Sequence, residues 1–181
     1  MYAITTMLDA SADEKTRSLW RFLECDCHLE GIRLTPWPHF SWLGAQEADK
    51  AGVKQQLTNL TALFEPFTVQ TVGFGVFTGA APVLYLPIVK NRMLLEMHEM
   101  VWNSTLPHLK DVNFYYEPKG WVPHVTLAFR DLEARRLACA VEELISMPLE
   151  FLITVNHFEF AFYNGEALMG VERYWFKGVC P

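Results

Sequence analysis

Apolar positions recur along the chain with two different spacings, and the alternation between them marks out strands and helices. Residues 1–8, rich in Tyr, Ile and Thr, predict a strand. Behind it Ser11 is a candidate N-cap, with Glu14 completing a capping box. Leu19, Phe22 and Leu23 then give part of a helical stripe, and the helix is expected to reach about Leu29 and stop at Gly31. Residues 34–43 predict a second strand, and Val53, Leu57, Leu60 and Phe64 recur at helical spacing within 47–64. Two β-runs follow at 67–77 and 82–89, joined at Thr78-Gly79-Ala80. Asn91 is placed to cap a helix carrying Leu94, Leu95, Met97 and Val101, which ends before Pro107. Residues 121–129 predict a further strand. Asp131 is expected to cap a helix to about Ser146, stopped by Pro148, and strands at 149–163 and 168–177 close the chain around Asn164-Gly165.

The predicted order is β-α-β-α-β-β-α-β-α-β-β, and it divides into similar halves. Each half holds a strand with a histidine motif, then a helix, then a pair of strands. The expectation is an α+β fold, one domain over residues 1–181 built from two pseudo-symmetric lobes. Two antiparallel sheets would face a central groove with the helices outside.

Composition narrows the choice of partner. The chain is 51% apolar and 20% charged, with a net charge of −6, so no broad basic surface exists to hold a long duplex by counterion release. A small nucleotide or an RNA end fits that balance better. No apolar run is long enough to cross a membrane: the longest, 69–89, is interrupted by Gly73, Gly75, Gly79, Pro82 and Pro87. Cys25, Cys27, Cys139 and Cys180 are too few and too irregular for a disulfide framework, and Cys25-Asp26-Cys27 lacks the ligands of a closed zinc site. Reduced thiols in a cytoplasmic protein are expected.

The chemistry concentrates in two motifs, Pro38-His39-Phe40-Ser41-Trp42 and Pro123-His124-Val125-Thr126-Leu127. Both read Pro-His-apolar-hydroxyl-apolar. In a strand, residues i and i+2 share a face, so each motif projects one imidazole and one hydroxyl together while Phe40, Trp42, Val125, Leu127 and Phe129 point behind. Proline is tolerated where a strand starts, since no ladder N–H is lost there. Two imidazoles at one phosphorus can divide the work: the neutral one takes a proton from the attacking oxygen, the protonated one gives a proton to the leaving oxygen. Ser41 and Thr126 can donate to the non-bridging oxygens. This chemistry requires neither metal nor organic cofactor, and the pattern does not assign acid and base between His39 and His124.

Paired His-x-Ser/Thr motifs in a chain of this layout resemble the two-histidine (2H) phosphoesterase superfamily, and within it the 2′-5′ RNA ligase and cyclic phosphodiesterase branch. His39-Phe-Ser41-Trp-Leu-Gly44 resembles the first motif with its apolar run and glycine, and His124-Val-Thr126-Leu-Ala-Phe-Arg130 the second. The resemblance implies a bilobal fold with both motifs lining a groove. It also implies metal-free action on RNA 2′,3′-cyclic phosphates or on 2′-5′ linkages.

Several residues are secondary candidates. Arg130 falls on the face of His124 and Thr126 by strand parity, roughly 20 Å along a straight strand, and would serve as a rim contact. Trp37 and Trp121 are candidates for contact with a nucleobase, as are Tyr85, Tyr115, Tyr116, Phe162 and Tyr163. His28, His98, His108 and His157 lack a repeated hydroxyl partner and read as structural. The leading expectation is hydrolysis of a 2′,3′-cyclic phosphate. The alternatives are cleavage or ligation of 2′-5′ linked RNA, and a non-catalytic nucleotide- or RNA-binding module. The natural substrate and the oligomeric state are not legible.

Overall fold

The computed structural model describes residues 1–165 and 167–179. In chain order they form β1 (Tyr2–Met7), α1 (Ala10–Cys27), β2 (His39–Ala48), α2 (Lys50–Thr61), β3 (Phe67–Gln70), β4 (Gly75–Phe77) and β5 (Val83–Pro87). There follow α3 (Arg92–Thr105), β6 (Leu109–Val112), β7 (His124–Phe129), α4 (Ala134–Leu144), β8 (Leu152–Val155), β9 (His157–Asn164) and β10 (Ala167–Trp175). The α+β class read from the sequence holds.

The first sheet is antiparallel with the order β10-β9-β1-β2-β6. The second layer consists of β4-β5-β7 and the pair β3-β8, again antiparallel. A bridge between Thr71 and Ile88 joins its parts, with Val72 N–H donating to the Pro87 carbonyl and Val89 N–H to that of Gln70. The expected run 67–77 is therefore one strand path broken into β3 and β4, and the run 149–163 breaks at Asn156 into β8 and β9. The sheets interleave the chain, since the first takes strands from its start, middle and end.

The core holds Phe40, Trp42, Leu84, Leu86, Val125, Leu127, Phe158 and Phe160, all essentially inaccessible to solvent. Leu94, Met97 and Val101 of α3 and Val53 and Leu57 of α2 bury the apolar stripes that their spacing predicts. Asn91 caps α3 as expected, its side chain accepting from Leu94 N–H at 2.8 Å. No helix among the described residues is long and apolar enough to cross a membrane.

Three expected boundaries move for identifiable reasons. The N-cap of α1 is Asp9, not Ser11: its Oδ1 accepts from Ser11 and Ala12 N–H while Oδ2 accepts from Thr154 N–H of β8 at 2.7 Å. A carboxylate suits a helix N-terminus, and this one also ties down a strand. The helix ends at His28, which adopts the left-handed conformation at φ 56°. Gly31 lies beyond that end and meets a different demand: a Cβ there would lie 2.1 Å from the Phe129 carbonyl, so only glycine lets the 31–34 turn approach the end of β7. Asp131 does not cap α4, whose N-cap is Glu133; its Oδ2 instead accepts from Glu30 and Gly31 N–H at 2.6 and 2.9 Å.

The reading of all cysteines as reduced is also corrected. Cys27, closing α1, and Cys139, within α4, form a disulfide with Cα atoms 5.7 Å apart across a separation of 112 residues. Helix packing brings the two together, and no local spacing reports that. Cys25 is a free, exposed thiol, and Cys180 lies outside the described residues.

Candidate active site

His39 opens β2 and His124 opens β7, and the two strands lie against one another. Proline fixes the entry to each. The Pro38 carbonyl accepts from Leu8 N–H just beyond β1, and the Pro123 carbonyl from Ile88 N–H just beyond β5. In both motifs the carbonyl two residues before the histidine meets its ring: His39 Nδ1 donates to Trp37 at 3.0 Å and His124 Nδ1 to Val122 at 2.7 Å. A carbonyl only accepts, so Nδ1 carries the proton and Nε2 is the nitrogen left for chemistry in each neutral ring.

The parity argument holds for the four motif residues and fails just beyond them. His39, Ser41, His124 and Thr126 are half-buried, while Phe40, Trp42, Val125 and Leu127 are buried behind them. Each strand then bulges at the same offset from its histidine. The register between β1 and β2 slips across Trp42-Leu43, and that between β5 and β7 slips across Leu127-Ala128. Both residues of each bulge are buried, so the face reverses afterwards. Gly44 thus joins the face of His39, and Phe129 joins that of His124 instead of packing behind it. Arg130 loses its assigned face for the same reason: it follows the bulge, has φ 73° and is exposed, with its guanidinium over the Phe129 ring at 5.5 Å.

Indole donors hold both motif backbones. Trp121 Nε1–H donates to the Ser41 carbonyl at 3.1 Å, and Trp20 Nε1–H to the Thr126 carbonyl at 2.9 Å. Trp121 is therefore a core residue and not a stacking platform. It is 1% exposed, and its ring stacks on His98 with centroids 3.7 Å apart and on Trp42 at 5.6 Å. His98 in turn donates from Nε2 to the Trp42 carbonyl at the bulge, and burial lowers its pKa to about 4. Trp37 is half-buried, and its carbonyl is what orients His39.

Burial pushes both motif histidines below the ordinary range. For His39 this is opposed by the Trp37 carbonyl and by the Glu159 carboxylate. For His124 the Val122 carbonyl opposes it, while the charge of His39 adds to it. The charge of one ring thus disfavours protonation of the other, and the two titrate as a coupled pair.

Glu159 is a residue that the motif reading missed. It is wholly buried on β9, opposite Thr5, which is itself opposite Ser41. Thr5 Oγ1 donates to it at 3.3 Å, and Arg173 of β10 donates through Nε and Nη2 at 3.1 and 2.7 Å. Only the strand register reveals that this pair shares the face of His39. Tyr116 was legible as one aromatic among several: its hydroxyl is hydrogen-bonded to Ser41, and burial keeps it protonated by raising its pKa. On the other side, Phe77 and Tyr85 stack at 4.1 Å and close around His124 at 5.0 and 5.1 Å. Among the described residues no three His, Cys, Asp or Glu side chains gather as metal ligands.

A family model, the 2′-5′ RNA ligase superfamily, matches residues 13–166. The chain belongs to this superfamily, the 2H phosphoesterases. Solved structures share its fold over nearly the whole length. The Thermus thermophilus protein TT0787 is 17% identical with a TM-score of 0.65, covering 98% of both chains. Usb1 of Kluyveromyces marxianus is 11% identical at 0.57, covering 97% of both. LigT of E. coli, solved with NADP+, is 12% identical at 0.54 and covers 97% of this chain and 96% of its own. No curated protein sequence matches. As a 2H phosphoesterase the chain is an enzyme of a phosphoesterase or ligase family.

Proposed function

We propose that this 2H phosphoesterase opens 2′,3′-cyclic phosphates, at an RNA end or on a small nucleotide, with His39 and His124 as the acid–base pair. The observation that carries this is the shared anchoring of the two rings, each with Nδ1 spent on the carbonyl two residues back, which leaves Nε2 as the nitrogen to meet a substrate. The neutral histidine accepts a proton from water as its oxygen bonds to phosphorus. The other, protonated, gives its proton to O2′ or O3′ as that P–O bond breaks. Ser41 and Thr126, on the same faces as the rings, donate to the non-bridging oxygens as charge accumulates there. Every proton is accounted for by these side chains, so the mechanism calls for no metal or organic cofactor. The net charge of −6 favours a terminus or a nucleotide over a long duplex.

The family's name supports a second reading at the same site, in which the leaving or attacking oxygen is a ribose hydroxyl of 2′-5′ linked RNA. Turnover of a 2′,3′-cyclic nucleotide in EDTA, compared between wild type, His39→Ala and His124→Ala, tests the first. Activity that survives the chelator and falls by about 10²–10⁴ in each variant is expected. Full activity in either variant would rule the mechanism out, and wild-type inactivity on cyclic nucleotides with turnover of 2′-5′ linked oligonucleotides would establish the second reading.

A further inference from the structure

From the unequal surroundings of the two rings we infer that the buried Glu159–Arg173 pair holds the proton on His39, making His39 the acid and His124 the base when a cyclic phosphate opens. The inference deepens the proposed reaction and rests on it. Glu159 is wholly buried, so it is a positioning residue that acts through His39.

The strand registers supply the geometry. Thr5 lies opposite Ser41 in β2 and opposite Glu159 in β9, and Arg173 lies opposite Glu159 in β10. Paired residues share a face, so these side chains form one row on the face of His39. Within it the carboxylate joins two neighbours. Its Oε2 accepts from Thr5 Oγ1 toward β2, and its Oε1 accepts from Nε and Nη2 of Arg173 on the outer side. The corresponding row beside His124 runs Thr126, Tyr85, Gly75. Thr5 and Tyr85 hold equivalent places, since the registers slip between Ile4 and Thr5 and between Leu84 and Tyr85. Where the first row has Glu159, the second has a glycine covered by the Tyr85 ring: a Cβ on Gly75 would lie 2.6 Å from Tyr85 Cζ. One imidazole shares its face with an anion, while the other meets an aromatic wall of Phe77 and Tyr85.

The other charged and titratable groups around His39 leave this asymmetry in place. Arg173 also touches Met7 Sδ, and Met7 is the register partner of His39. Its side chain is 36% exposed where that of Glu159 is 0%, so water screens the cation more than the anion. His157 Nε2 stands 3.9 Å from Glu159 Oε1, and its pKa of about 4 keeps it neutral above that pH. Burial holds Tyr116 and Tyr163 protonated, and the charge of Glu159 reinforces this at Tyr163. Asp111 and Met1 line the far end of the cavity beside His39, past the pairs that Ala45 makes with Tyr2 and Val112. The Glu159 carboxylate thus favours the imidazolium of His39, whose charge disfavours a proton on His124. His124 takes a proton from water as its oxygen bonds to phosphorus, and His39 gives one to the departing ribose oxygen. Solvent then returns the proton from His124 to His39.

The test is an NMR titration of the imidazole rings in wild type and Glu159→Gln, with resonances assigned from His39→Ala and His124→Ala. As pH falls from neutral, wild-type His39 is expected to take up its proton before His124, and Glu159→Gln to shift the His39 midpoint downward. Loosening of the sheet alone would do the opposite, since exposing His39 raises its midpoint toward the ordinary value of about 6.5. His124 protonating first in wild type, or a His39 midpoint that stays or rises in Glu159→Gln, would overturn the inference. The wild-type order decides it should the variant not fold. The acid is identified separately with a nucleoside p-nitrophenyl phosphate, whose leaving group departs without a proton. On it the loss caused by His39→Ala should shrink and that caused by His124→Ala should not; the reverse pattern would overturn the assignment. Wild-type inactivity on every cyclic nucleotide would instead remove the proposed reaction and leave the order of the two rings standing.

Discussion

At the scale of single residues, the site is a set of imidazoles whose protonation is governed by burial. Both His39 and His124 are lowered by it, so both limbs of the pH–rate profile for cyclic phosphate hydrolysis are expected below the ordinary histidine value of about 6.5. A profile centred above neutrality would contradict that. The same direction has a consequence for stability. His98 and His157 are held at about 4, His98 by burial and by the charge of Lys90, His157 by burial and by the charge of Arg173. The unfolded chain takes up protons near 6.5 where the folded chain does not, so stability is full above that pH and is lost as pH falls toward 4. Thermal unfolding followed from pH 7 to pH 4 should show Tm dropping through this window, before most carboxylates titrate.

At the scale of elements, each motif strand is a short, bulged segment braced from behind by an indole. Trp121→Phe keeps the ring packing and strands the Ser41 carbonyl, at a cost of about 1–3 kcal/mol in stability measured by urea unfolding. An unchanged midpoint would mean water replaces the indole. The braces show how far the sequence could be read. Alternation places His39 with Ser41 and His124 with Thr126, because two residues of regular strand suffice for that. It fails at Phe129 and Arg130, because a bulge adds one residue and reverses every later assignment. Most helices and strands were legible from spacing, although β6 was not: four residues carrying Lys110 and Asp111 have no apolar rhythm. The caps misled where a tertiary demand competed, as when Asp9 serves both α1 and β8, and Asp131 binds the 30–31 backbone instead of starting α4. Glu159 and Arg173 read as ordinary strand charges until the pairing of β1 with β9 sets them beside His39.

At the scale of the molecule, the Cys27–Cys139 disulfide closes a loop of 112 residues that contains both motifs. In the chain-entropy account such a loop restricts the unfolded state by about 4–5 kcal/mol, and the double variant Cys27→Ser/Cys139→Ser should be less stable by about 2–4 kcal/mol in denaturant titrations. Retained stability would show that the helix packing alone holds α1 against α4. The interleaving of the first sheet matters in time as well as in space. β1 must pair with β9, Thr5 opposite Glu159, across almost the whole chain. During synthesis the strand that supports His39 emerges about 150 residues ahead of its neighbour. Both histidine motifs have therefore left the ribosome, at roughly 5–20 residues per second, well before the sheet beneath one of them can close. Until then β1 offers an unpaired edge, so the nascent enzyme is vulnerable to misassociation in the seconds before β9 and β10 arrive.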